Sequence, residues 1–162
     1  MTEAIGSNEG KQRAGQLAIQ KVYLKDLSYE APGTPGVFRE EWKPAVEIEL
    51  GNKATSLGND MYETVLAVTV TVKSADKTAF LCEVQQAGIF HIAGFPDQAM
   101  PAILATACPN VLFPFAREVV ADVVAKAGFP QLLLAPVNFE SLYAQEMQRK
   151  QAEAAEQAAK AH

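Results

Sequence analysis

Between Tyr62 and Val72 the side chains alternate without a break, with Tyr62, Thr64, Leu66, Val68, Val70 and Val72 sharing one parity. Successive residues of a strand face opposite ways, so this run reads as a half-buried β-strand with one apolar face. A short polar link follows, Ser74-Ala75-Asp76-Lys77, and then a second β-rich segment from Thr78 to about Phe90. Two such runs joined so tightly predict an antiparallel hairpin. Its apolar face needs a cover, and the chain must supply one.

The material for that cover lies downstream. The 62 residues from Thr78 to Phe139 hold six charges (Glu83, Asp97, Arg117, Glu118, Asp122 and Lys126) and seven of the eight phenylalanines. Beyond Pro96 the apolar period changes. Ala116, Val119, Val120, Val123, Val124 and Ala127 recur at helical spacing, with Arg117, Glu118, Asp122 and Lys126 on the opposite arc. Pro109 and Pro114 predict that an earlier helix, about Gln98 to Ala107, stops before this one, and Gly128 suits a C-terminal cap. A further helix is expected after Pro136, capped by Asn138, with Phe139, Leu142, Tyr143 and Met147 on its apolar side.

Upstream, Leu17 to Glu30 reads as a strand ended by Ala31-Pro32-Gly33-Thr34-Pro35-Gly36. The loop beyond carries Val37, Phe38 and Trp42, large apolar groups that suit a flap or the wall of a binding site. Val46, Ile48 and Leu50 alternate with Glu47 and Glu49 as another strand, after which Gly51-Asn52 and Gly58-Asn59 are read as bracketing a turn or loop. Gly88 is read as a bulge or bend near the end of the fourth strand. Four strands in meander-like order followed by helices give an α+β class, a four-stranded antiparallel sheet with helices packed on one face.

The length fits one domain, and 49% hydrophobic with 20% charged residues fits an ordinary globular chain. A net charge of −5 gives no support to a phosphate-binding surface, so nucleic acid is not an expected partner, and basic partners are favoured. Two cysteines, Cys82 and Cys108, make no disulfide framework, which points to a reducing cytoplasm. No run approaches eighteen consecutive apolar residues, so direct membrane insertion is not expected. Residues 1–16 are polar without an apolar stretch and are read as a disordered leader. Residues 148–162 have high helix propensity but nothing large to bury, and are read as a mobile tail that can be helical.

Little of this suggests chemistry. Cys82 and His91 are nine residues apart, which places them on opposite faces of one strand unless Gly88 shifts the register. Two cysteines and two histidines are scattered without ligand spacing, so neither a metal nor another cofactor is expected, and no nucleotide-binding or hydrolase motif is present. The chain is accordingly not read as an enzyme. Asp26 and Glu30 share a parity on the first strand, and Glu83 shares its face with Leu81 and Gln85. From composition alone these are solvated sheet carboxylates, and Phe80 is as well explained by core packing as by binding.

The strings KVYLKDLSYEAPGTPGVF, EWKPAVEIEL, TAFLCEVQQAGIFHIAGF, CPNVLFPFARE and GFPQLLLAPVNFESLY, in that order, closely resemble the SecB family of bacterial protein-export chaperones, over roughly residues 17–147. The resemblance implies an ATP-independent holdase that binds unfolded exported precursors and delivers them to the motor ATPase SecA. It implies a SecA-docking surface at Asp26, Glu30, Leu81 and Glu83, and a client groove lined by Trp42, Phe80, Phe115 and Tyr143. It also implies a homotetramer, a dimer of dimers, with Cys82, Val84 and Gln86 at positions sensitive to assembly. The departures are a longer leader, an Ala/Gln/Glu-rich tail, and Phe115 where tyrosine is common. The competing class is a small-molecule-binding or hydrolytic α+β domain built on the same aromatic pocket, which would need a convergent acid, base or nucleophile.

Overall fold

The computed structural model describes residues 14–161. Four strands, β1 (Gln16–Glu30), β2 (Pro44–Gly58), β3 (Met61–Ser74) and β4 (Lys77–Ala93), are followed by helices α1 (Met100–Ala105), α2 (Ala107–Lys126) and α3 (Phe139–Lys160). All neighbouring strands pair antiparallel, in the order β1-β4-β3-β2. The α+β class and the one-sided helical layer are as expected. The strand order departs from a simple meander: β1 lies beyond β4, so β1 and β2 form opposite edges. The link over residues 31–43 must therefore cross about three strand spacings, roughly 14 Å.

Both hairpins turn at pairs of residues in left-handed backbone, Asn59-Asp60 (φ 54° and 59°) and Ala75-Asp76 (φ 50° and 62°). Turns of this hand match the twist of the flanking strands. The expected turn at Gly51-Asn52 does not form. β2 runs on through Asn52–Ser56, paired residue by residue with Leu66–Tyr62. The polar segment is held in the sheet by its ladder to the long β3 and by Asn52, whose Nδ2 donates to the Leu104 carbonyl at 3.0 Å. Pairing outweighs weak local propensity here.

The even-numbered residues Thr64 to Val72 of β3 and Phe80, Cys82, Val84, Phe90 and Ile92 of β4 are buried under the helices. α2 closes this core with a seam at four-residue spacing, Cys108, Leu112, Ala116, Val120 and Val124, all 0% exposed. Asp97–Lys126 is long and apolar enough to match a membrane span (mean hydropathy 1.5), but it lies flat on the sheet with that seam inward. Pro109 and Pro114 do not interrupt α2. Pro109 sits in the first turn, where its missing N–H is not needed, and Pro114 is tolerated on the exposed side. The break falls instead at Thr106 (φ −123°), whose Oγ1 donates to the Ala102 carbonyl at 2.7 Å. Gly128 (φ +89°) ends the run, and the Asn138 side chain accepts from Ser141 N at 3.0 Å to start α3. The tail, read as able to be helical, continues as regular helix to Lys160 with its side chains exposed, and most of the expected leader lies outside the described residues.

Gly88 does not mark a bulge, since β4 pairs with β3 without interruption there. It is small because α2 comes close. A Cβ at this position would sit 2.9 Å from Phe90 Cε2, 3.0 Å from Leu112 Cδ2 and 3.1 Å from the Lys21 carbonyl oxygen. The bulges fall on β1, where Gln20 and Lys25 are extra residues in the ladder to β4. We expect Gly88→Val to destabilise the protein by about 1–3 kcal/mol through overpacking. Gly51→Ala, whose new methyl would meet only the Ala67 Cβ at 3.7 Å, should change stability by less than about 0.5 kcal/mol. Urea denaturation of both variants checks the contrast.

Candidate functional site: an apolar groove and a charged sheet face

β2 is an edge strand, and its helix-side residues Val46, Ile48 and Leu50 stand opposite Val72, Val70 and Val68. α2 packs on β4 and β3, so the edge is left uncovered. Val46 is 42% exposed and Ile48 46%, a run of apolar side chains at a sheet margin. At one end lies a cleft of about 190 Å³ lined by Trp42, Val46, Val72, Phe80, Pro130 and Leu132. At the other, a cleft of about 290 Å³ is lined by Leu50, Leu66, Phe139, Leu142, Tyr143 and Met147. Val46 and Leu50, four residues apart on one strand, separate the two by about 13 Å. The clefts and the strand between them form one extended apolar groove.

The first cleft is built around Phe129, which sequence reasoning did not assign to the site. Its ring centroid lies 4.9 Å from Phe38, 5.4 Å from Trp42 and 4.8 Å from Phe80, and Phe80 continues the stack to Tyr29 at 6.1 Å. The left-handed Gly128 turns the chain immediately before it, so that the first side chain beyond α2 folds back under the crossover. The signal was present in the sequence as an aromatic directly following a cap glycine. Trp42 is held by the ends of the crossover: Ser74 Oγ accepts from Lys43 N at 3.1 Å and donates to the Glu41 carbonyl at 3.4 Å.

The four residues assigned to the groove do not all converge. Trp42 and Phe80 share the Phe129 cluster, with Phe80 buried at its base (1% exposed). Tyr143 lines the second cleft. Phe115 lines neither. It is 49% exposed on α2, one residue before the seam residue Ala116 and so turned about 100° from it. Cys82, Val84 and Gln86 are not on a surface either. They face the helices and are 0%, 0% and 3% exposed, and Gln86 Nε2 donates to the Tyr23 carbonyl at 3.0 Å. Any influence of these three on assembly must pass through the position of the helices they support. Burial pushes the Cys82 thiol up and the Cys108 thiol up to about 11, so both pack as apolar groups. His91 projects from the opposite face of β4 to Cys82.

The other side of the sheet carries no element among the described residues. Its side chains line up in five rows across the strands: Glu30–Leu81–Thr71–Glu47, Ser28–Glu83–Thr69–Glu49, Asp26–Gln85–Ala67–Gly51, Tyr23–Ala87–Val65–Lys53 and Lys21–Ile89–Glu63–Thr55. Asp26, Glu30, Leu81 and Glu83 thus lie together on one flat face, within three adjacent rows. The bulge at Lys25 is what puts the first two there: by adding one residue it lets Leu24 and Leu27 both face the helices while Tyr23 and Asp26 both face outward. It also frees Lys25 to reach across the face to Glu63, Nζ to Oε1 at 2.7 Å, while Tyr23 Oη donates to Glu63 Oε2. The hydrogen bonds from Lys25 and then Tyr23 hold the Glu63 carboxyl below its usual range. Desolvation, with the bond and charge of Glu63, pushes the Tyr23 phenol up to about 12.

Phe129 is 5% exposed and sits at the centre of three rings. Phe129→Ala should cost about 3–5 kcal/mol and leave Trp42, the sole tryptophan, without its stacking partner. A red-shifted, weaker tryptophan emission under native conditions checks this, with stability followed by urea denaturation.

Residues 10–150 match the family described as preprotein translocase subunit SecB. Proteins named protein-export protein SecB are similar over most of their length. That of Nitrosococcus oceani is 53% identical, covering 90% of this chain and 88% of its own. That of Methylococcus capsulatus is 52% identical, covering 91% and 96%, and that of Halorhodospira halophila 51%, covering 91% and 85%. Among solved structures, a SecB-like chaperone of Mycobacterium tuberculosis, in complex with a ChAD peptide from an antitoxin, superposes with a TM-score of 0.59 at 16% identity. That match covers 75% of this chain and 91% of the other, and it bears out the fold. From its motifs, its strand order with one-sided helices and these full-length relatives, the chain belongs to the SecB family of preprotein-export chaperones.

Proposed function

We propose that the groove along β2 is where non-native precursor chains bind, and that the protein acts as an ATP-independent holdase without enzymatic activity of its own. The observation that carries this reading is the apolar strip Val46-Ile48-Leu50, exposed at Val46 and Ile48 and half-buried at Leu50, with an aromatic cleft at one end and an apolar cleft at the other. A groove open along its length accepts an extended chain of any sequence that offers apolar side chains at intervals. Large rings at its end gain contact area without demanding one partner shape. Binding the unfolded state but not the native one holds back folding and aggregation by mass action. The M. tuberculosis protein, solved with a bound peptide, is consistent with peptide capture by this fold.

In this reading the carboxylates of the outer face, Asp26, Glu30 and Glu83 around Leu81, dock the basic tail of SecA in the cytoplasm. Support comes from their shared face, the solvent exposure of Asp26 and Glu30, and the absence of ion-pair partners for the three carboxylates among the described residues. The active form is proposed to be a homotetramer, a dimer of dimers. β1 ends the sheet, yet its helix-side residues Ile19, Leu24 and Leu27 are 52%, 45% and 39% exposed, and Phe115 on α2 is also open. A second copy of the chain is the natural cover for such a surface. Cys82, Val84 and Gln86 then act from beneath, by setting the height of α2.

Two measurements test these assignments. Mixing the protein with a slowly folding precursor should delay its refolding, followed by fluorescence, and no delay at several-fold excess would remove the holdase reading. Trp42→Ala combined with Tyr143→Ala should shorten the delay, each ring contributing about 1–3 kcal/mol to client binding. Glu83→Lys should weaken SecA binding and its dependence on salt while sparing client binding, because the two surfaces lie on opposite sides of the sheet. Separate titrations with SecA and with an unfolded client distinguish this from equal loss of both, which misfolding would give.

A further inference from the structure

The outer sheet face carries both signs of charge, sorted along the strand direction. At one end, Asp26, Glu30, Glu49 and Glu83 have no ion-pair partner among the described residues, and Glu47 has only a 4.0 Å contact with Lys73. At the other end, Lys21 and Lys53 are likewise without a partner among the described residues. Glu63 is the carboxylate in the lysine rows, but its two oxygens are already engaged by Lys25 and Tyr23. Glu49 and Lys53 stand four residues apart on the same face of β2, about 13 Å. That exceeds the Debye length of about 8 Å at physiological ionic strength, so the two ends do not neutralise each other.

Beside Lys53 the face is hollowed. Gly51 and Ala67 share a row with almost no side-chain bulk, leaving a basin of about 460 Å³ floored by Gly51, Val65 and Ala67 and bordered by Lys25, Lys53, Glu63 and Gln85. Glu63 is already held by Lys25 and Tyr23, which leaves the Lys53 ammonium and the Gln85 amide to meet a further carboxylate in this depression. We propose that this basin receives an acidic side chain of the same partner segment whose cations lie on the carboxylate rows. The face then binds a mixed-charge extended strand in one register rather than any basic peptide. This rests on the reading of the acidic rows as the dock for SecA's basic tail, and it adds Lys53 as a residue that sets partner specificity through charge complementarity.

Two synthetic peptides titrated calorimetrically into the full-length protein test it. Both carry a lysine cluster, and four residues away one has glutamate and the other glutamine. On the wild-type protein the glutamate peptide should bind about threefold tighter, as for one exposed ion pair. On Lys53→Gln the ratio of the two affinities should fall to one, even if both peptides bind that less basic face more tightly. Equal affinities on the wild-type protein, or a glutamate advantage that survives in Lys53→Gln, would overturn the proposal. A glutamine peptide that binds without any glutamate advantage sinks this inference alone. Failure of both peptides to bind sinks the reading of the acidic rows along with it.

Discussion

Successive residues of β3 and β4 face opposite ways without interruption from Thr64 to Val72 and from Phe80 to Ile92, and the rest of the protein is arranged around that commitment. The even residues, buried under α2, make the core. The odd residues are forced onto the other side, where they share one surface with the carboxylates and lysines of β1 and β2. Because α2 lies so close that Gly88 cannot carry a methyl group without a clash, the helix is fixed over β3 and β4. β2 is consequently left open at its margin. The groove is thus what remains when one helix covers two strands of a four-stranded sheet.

Much of this was legible in the sequence, because period and parity are strong signals. The run from Tyr62 to Val72, the seam of α2, the Gly128 cap and the Asn138 cap each express a short-range rule. The carboxylates Asp26, Glu30 and Glu83 could be put on common faces by counting alone. What failed were readings that depended on partners distant in the chain. Gly51-Asn52 looked like a turn because its local propensity is weak, but the ladder to β3 overrode it. Pro109 and Pro114 looked like breaks because the packing that tolerates them is tertiary. The position of β1 beyond β4 is a matter of topology, on which hydropathy is silent.

The site shows the same division. Trp42 and Phe80 were singled out from the sequence, but Phe129, on which both stack, was not, since only the folded turn after α2 brings it between them. Phe115 was grouped with the groove by likeness to a family, and its helical phase places it elsewhere. Cys82, Val84 and Gln86 were associated with assembly by the same route, yet their side chains are interior. A residue can matter to assembly without touching a partner, by setting the height of the element that does.

The bulge at Lys25 has a further consequence for how the length of β1 can vary. It acts as a phase shifter. Upstream of it the even residues Val22 and Leu24 lie on the helix side of the sheet, and downstream the odd residues Leu27 and Tyr29 do. Removing or adding a single residue between the bulge and Glu30 would exchange the two sides for the remainder of the strand. Leucine and tyrosine would then join the charged face, and carboxylates would turn to the helix side. Changes of two residues would preserve the phase and only slide the strand. β1 should therefore tolerate length polymorphism in pairs and reject it singly, a rule that follows from one extra lysine in the ladder.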